Sequence, residues 1–160
     1  MRITDSDLVH LRRAVELARE AADGGDGPFG SVLVDAMGVE RFADRNREQS
    51  TGDETRHPEF EIVRWAVTHL TPEERAESTV YTSGEHCVMC AAAHAWVGLG
   101  RIVYVASAGQ IADWRAAMGA APSPVRPLPI TAVAPGLPVD GPVESLVAEV
   151  RVLIERHLDR

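Results

Sequence analysis

The sequence predicts an α/β fold, on three observations. Between Thr79 and Ser107 two short β-branched runs, TVYTS and RIVYVAS, flank an apolar helical stretch from Cys87 to Leu99, the alternation that parallel strands with crossover helices require. Upstream, two strand patterns followed by a helical one extend the series. At 160 residues, 45% hydrophobic and 25% charged, the chain suits one domain, residues 1–160, burying roughly 70% of the surface its unfolded form exposes.

The first helix is expected over Asp5 to Asp23, where Leu8, Leu11, Val15, Ala18 and Ala22 recur at helical spacing until Gly24 and Gly25. Phe29 to Asp35 then reads as a buried strand, and Val39 to Arg45 as a more polar one paired with it through a turn at Gly38. Residues 46–56 lack apolar periodicity and read as a surface loop ending at His57. Pro58 suits the first position of a helix carrying Phe60, Val63, Val67 and Leu70, closed by Thr71-Pro72. After the strand, helix and strand of residues 79–107, a helix is expected over Ile111 to Met118. Most of the ten prolines crowd into residues 122–142, where only Ile130 to Ala134 reads as a fifth, edge strand. Val143 to His157 forms the closing helix.

The chemistry concentrates at His57-Pro58-Glu59 and Cys87-Val88-Met89-Cys90, each where a loop or strand feeds a helix. Cysteines three apart in a first helical turn share a face, and the positive end of the helix favours the thiolate a metal needs. His57 adds a third ligand. Two thiolates and one imidazole balance the charge of Zn2+ and leave a fourth position for water, the open arrangement of a catalytic site. Glu59 lies where a proton shuttle belongs. The bland alternatives are a buried histidine with two packed thiols, a thiol redox pair, and for Glu59 an acid complementing its helix dipole.

At these residues the sequence resembles the zinc-dependent cytidine and deoxycytidylate deaminase superfamily, whose signature pairs H-x-E with C-x-x-C. The likeness runs from about Leu11 to Ala106, through Pro28-Phe29-Gly30, Asn46, His57-Pro58-Glu59 and TSGEHCVMCAAAHAW, and is nearest to bacterial guanine deaminases and tRNA adenosine deaminases. It implies a three-layer α/β/α domain with a five-stranded mixed sheet, one zinc per chain on His57, Cys87 and Cys90, catalysis by Glu59 and base recognition by Asn46. Trp96 falls where guanine deaminases carry an aromatic near the base, and Asp113 is the sole acid between Glu85 and Asp140 for a downstream base-reading role. The chain departs from the pattern at Pro58, usually alanine, and at His86, usually proline. Phe29 and Trp96 have core readings beside that of pocket walls. Asn46 is also a turn residue, Glu85 reads as either a partner of local backbone or an acceptor from the substrate amine, and His94 as a core histidine or a deeper site residue.

The resulting expectation is hydrolytic deamination of a small guanine-, cytosine- or triazine-like amino ring, releasing ammonia. The rivals are tRNA adenosine-to-inosine deamination and a non-catalytic zinc-stabilised interaction domain. A net charge of −8 opposes a phosphate backbone, and the segment Ser78 to Leu99 holds no lysine or arginine; Arg45, Arg47 and Arg56 are what the tRNA reading has. The charged N-terminal segment and the lack of an apolar run approaching about 18 residues point to a cytoplasmic protein without a membrane partner. A homodimer is expected from the superfamily's habit.

Overall fold

The computed structural model describes residues 3–159. Its elements are α1 (Asp5–Asp23), β1 (Gly30–Val34), β2 (Glu40–Arg45), α2 (Glu48–Thr51), α3 (Pro58–His69), α4 (Pro72–Glu77), β3 (Thr79–Gly84), α5 (Val88–Trp96), β4 (Arg101–Ala106), α6 (Ala108–Ala117), α7 (Ile130–Val133), β5 (Val139–Asp140) and α8 (Glu144–Leu158). The strands form one five-stranded sheet ordered β2-β1-β3-β4-β5. β1 runs antiparallel to both β2 and β3, whereas β3, β4 and β5 run parallel. The sheet is therefore mixed, as the resemblance implies.

Alternation along the strands makes the layers. Val32, Val34, Tyr81, Val103 and Val105 face one side, where Leu11, Ala14 and Val15 of α1 and Leu146, Val150 and Leu153 of α8 bury them. Leu33 and Val80 face the other side, under Ile62, Val63 and Ala66 of α3, and Ile102 and Tyr104 meet Ala91 of α5 and Ile130 of α7. Leu11 is wholly buried, so truncating it to alanine costs about 2–5 kcal/mol. Gly30 sets how closely α1 lies on β1: a Cβ there would sit 2.4 Å from the Ala14 carbonyl oxygen.

Helix starts follow their caps. The Thr4 hydroxyl accepts from the Asp7 N–H while the Asp7 carboxylate accepts from the Thr4 N–H, closing a capping box on α1. Thr71 with Glu74 and Ser107 with Gln110 do the same for α4 and α6. The Asp7 carboxylate also accepts from Tyr81 Oη at 2.8 Å and Arg101 Nη1 at 2.7 Å, and Arg101 reaches Asp140 at 2.8 Å. This network joins α1 to β3, β4 and β5.

Three expectations need correction. Where the edge strand was expected, Ile130–Val133 forms the short helix α7 with Ala134 as its C-cap, and the fifth strand is Val139–Asp140; the Ile130 side chain is buried under α5 and β4, a contact that strand propensity does not register. The loop over residues 46–56 contains α2, and α4 follows the Thr71-Pro72 break. α6 begins at Ala108, because the Ser107 cap starts it one turn before its apolar residues. Among the described residues no helix is long and apolar enough to cross a membrane.

Candidate active site

The parallel strands β3 and β4 end side by side, and their carboxyl ends open into a cleft of about 770 Å3, the usual place for ligands in such sheets. His57 is the N-cap of α3 and Cys87 the N-cap of α5; neither side chain caps its own helix. Cys90 lies in the first turn of α5, buried. The two helices pack against each other and bring the three side chains together: His57 Nδ1 is 3.6 Å from the sulfur of Cys87 and 3.6 Å from that of Cys90. All three donor atoms lie within 4.8 Å of one another. A tetrahedral zinc with bonds of about 2.3 Å to sulfur and 2.0–2.1 Å to nitrogen separates its N and S donors by about 3.6 Å. The group fits zinc in both spacing and donor chemistry.

The charges around it agree. The hydrogen bond from the Cys90 thiol and the nearby imidazole hold Cys87 down to about 4, against the cost of its burial. Cys90, facing that thiolate in a buried position, is pushed up. Burial opposes protonation of His57, yet hydrogen bonds to Cys87 and Glu48 raise it to about 10. The Cys87 thiolate and the Glu48 carboxylate thus place negative charge on both sides of His57, which suits the group to a bound cation.

Glu48 was not among the residues singled out in the sequence. Its carboxylate lies 2.8 Å from His57 Nε2, so the imidazole is held on one nitrogen by an acid while the other faces the sulfurs. That pairing fixes ring orientation and tautomer in metal sites. Asn46 seats it: its Oδ1 accepts from the Glu48 N–H at 3.0 Å and its Nδ2 donates to the Glu48 carboxylate at 3.1 Å. Buried Asp26 holds the following turn through the Ser50 N–H. The one sequence signal was an asparagine with an acid two residues on, the pattern of an Asx turn.

Glu59 is buried and lines the cleft. Its Oε1 accepts from Ser31 Oγ at 2.9 Å and Thr82 Oγ1 at 2.8 Å. Burial raises its pKa above the ordinary carboxylate value, only partly offset by the positive His57. A carboxyl held by two hydroxyls, raised toward neutrality and facing a cleft has the chemistry of an acid-base group.

The remaining residues divide. Phe29 lines the cleft, with its ring 3.1 Å from where a Cβ on Gly84 would be, so that glycine makes room for it. Asn46 also lines the cleft, although both amide atoms engage Glu48. Glu85 lines the cleft but spends its carboxylate as a tether: one oxygen accepts from the Ala108 N–H and the other from the Ile130 N–H, each at 2.8 Å. Three of the candidate residues lie outside the cleft lining. Trp96 is 88% exposed at the end of α5, outside the cleft, because α5 turns that face away from the sheet. Asp113 is exposed on α6 and does not line the cleft. His94 is wholly buried one turn beyond the metal group, its Nε2 bonded to the Gly100 carbonyl oxygen at 2.8 Å. His86 packs edge-on against it, ring centroids 5.3 Å apart, and burial pushes its pKa well down.

A family model described as the cytidine and deoxycytidylate deaminase zinc-binding region matches residues 4–106, which include His57, Glu59, Cys87 and Cys90. The chain belongs to that family. Among curated members, a probable cytosine deaminase from Schizosaccharomyces pombe is 33% identical over 102 residues, 64% of this chain and 61% of that protein. A tRNA-specific adenosine deaminase from Agrobacterium fabrum is 36% identical over 95 residues, 59% of this chain and 61% of that one. The matches thus cover about 61% of these relatives' length. In fold, the chain resembles guanine deaminase from Nitrosomonas europaea, with a TM-score of 0.75 at 20% identity over 100% of this chain and 87% of the other. Deaminases with different substrates share this family's site.

Proposed function

We propose that this chain hydrolytically deaminates a small amino-substituted ring, replacing a ring C–NH2 by C=O and releasing ammonia, with one zinc per chain held by His57, Cys87 and Cys90. The observation that supports it best is the buried Glu59 carboxyl set in the cleft beside the His-Cys-Cys group. A thiol redox pair or a purely structural metal site has no use for that carboxyl. Zinc supplies Lewis acidity that makes water a competent nucleophile near neutral pH. Glu59 accepts the proton of the attacking water and delivers it to the departing amine, its raised pKa suiting both transfers. Ser31 and Thr82 hold one carboxylate oxygen and so fix the plane from which the proton moves. Glu48 keeps His57 turned toward the cysteines. Phe29 provides an apolar wall against a flat ring.

The tRNA reading loses its basic residues to ion pairs: Arg45 is bound to Asp26, Arg47 to Asp44 and Arg56 to Glu61. Ammonia release from guanine, cytosine, cytidine and aminotriazines, beside a tRNA anticodon stem-loop, tests the assignment. Turnover of the stem-loop alone would replace it with the tRNA activity. A homodimer belongs to the same reading, since α3 and α5 leave Val67 and Trp96 exposed. Sedimentation giving only monomer at micromolar concentration removes it.

A further inference from the structure

The cleft has two unlike walls. One wall carries His57, Cys87 and Glu59; the other carries α6 and the proline-rich strap that follows it, residues 119–129. From residue 114 to residue 139 the chain, acidic overall, contains no aspartate or glutamate and two basic residues, Arg115 and Arg126, and both line the cleft. The acids of the cleft make their hydrogen bonds elsewhere: Glu48 to His57 and Asn46, Glu59 to Ser31 and Thr82, Glu85 to two backbone N–H groups, while the charge of Arg115 is felt at Glu48 without a hydrogen bond. Among the described residues neither arginine makes an ion pair or a side-chain hydrogen bond, in contrast to Arg45, Arg47 and Arg56. The end of α6 accounts for a cation at Arg115. It does not account for Arg126, which lies on the strap and on no helix.

Resting on the deaminase reading above, we propose that Arg115 and Arg126 form an anion subsite, and that the preferred substrate is an amino-substituted ring carrying a phosphate or carboxylate group away from the reacting carbon. Planar guanidinium forks match the paired oxygens of such groups. The wall is placed for this. The Glu85 carboxylate, two residues before Cys87, holds both the first residue of α6 and the first residue of α7 just past the strap, so both ends of the arginine-bearing segment are fixed relative to the metal group. Prolines at 122, 124, 127 and 129 restrict the strap between them, lowering the entropic cost of ordering Arg126 on a ligand. A cleft of about 770 Å3 falls in the range of about 300–1,000 Å3 that holds ligands larger than a bare heterocycle.

The test compares matched neutral and anionic rings on the zinc-loaded protein: cytidine against cytidine 5′-monophosphate, guanosine against guanosine 5′-monophosphate, and cytosine against 5-carboxycytosine. Binding is measured by calorimetry on Glu59→Gln, and kcat/KM on the unaltered chain. At least one anionic ring is expected to bind tenfold or more tightly than its neutral partner. In Arg115→Ala/Arg126→Ala that ratio should fall at least tenfold, with partial recovery in Arg115→Lys/Arg126→Lys. Arg13→Ala/Arg41→Ala, which removes the same charge far from the cleft, should leave the ratio unchanged. The phosphate and carboxylate arms separate the two kinds of anion. Equal affinity for neutral and anionic rings overturns the subsite even if ammonia is released, whereas anion-dependent binding without any ammonia release overturns the deaminase reading and keeps the subsite. A tRNA stem-loop bound more tightly than every mononucleotide, through the same two arginines, overturns the small-molecule assignment.

Discussion

The strands β3 and β4 carry buried charge at both ends, put to opposite uses. Toward their amino ends Arg101 pairs with both Asp7 and Asp140, and Tyr81 donates to Asp7. Burial would raise the Asp7 carboxyl, but hydrogen bonds from Arg101, Thr4 and Tyr81 outweigh it and hold it at about 2. At the carboxyl ends the charges are arranged the other way. Glu59 is raised, Cys87 is held as a thiolate, and His57 is held charged between that thiolate and Glu48. One end spends its ionic interactions on joining four elements; the other keeps them for a ligand. Stability and function are thereby separated along a single pair of strands, and substitutions at the two ends should fail differently.

The largest effect is expected from the metal group. Cys87→Ser should lose stoichiometric zinc by elemental analysis and with it all measurable ammonia release, because two remaining donors hold zinc poorly; full zinc at unchanged affinity in that variant excludes Cys87 as a ligand. Glu59→Gln should keep its zinc and its melting temperature while turnover falls by at least about 10²-fold. Near-normal turnover would take the proton-transfer role from Glu59. Glu48→Gln should weaken zinc by about 10–100-fold in competition with a chelator. Unchanged affinity there would show that the His57 contact plays no part in holding the metal.

The opposite end should respond in stability alone. Asp7→Asn is expected to cost on the order of 2 kcal/mol at neutral pH, with kcat per folded molecule unchanged. Since the folded-state pKa of Asp7 lies below the ordinary carboxylate value, its contribution is present above about pH 4 and is lost as the pH falls through about 2. Urea titrations of both proteins at pH 7 and pH 2.5 should show the gap narrowing in acid; a constant gap would contradict the role given to the Arg101 pair. The smallest effect belongs to Asp113→Asn, expected to change kcat/KM less than twofold because the side chain is exposed outside the cleft.

The same contrast explains what the sequence made legible. The metal ligands and Glu59 stand within two or three residues of one another at helix starts, so local spacing reveals them. The strand alternation is local too, and the first helix, the hairpin and the central strands lie close to where the periodicity puts them. Glu48 escapes that reading because its partner is nine residues away across a turn that looks merely polar. Glu85 stood among the candidates, but its role was not legible because the N–H groups it holds belong to Ala108 and Ile130, contacts that only the fold creates. Ile130 was misread for a related reason: its apolar neighbours suggest a strand, and what decides its conformation is burial under α5 and β4 with its N–H held by the Glu85 carboxylate. Trp96 resembles a pocket residue by position in a motif, but α5 presents it to the outside.

The double grip of Glu85 has an evolutionary corollary. Because a single carboxylate clasps the beginning of α6 and the residue that follows the strap, and α6 itself packs on the core through Ile111 and Trp114, the strap of residues 119–129 is a closed loop anchored at both ends. Such a loop can be lengthened, shortened or rewritten in place, and the reacting groups on the facing wall keep their positions. Divergence among deaminases built this way should therefore collect in that one replaceable stretch, with new diets arising by exchange of a cassette and not by rebuilding the chemistry.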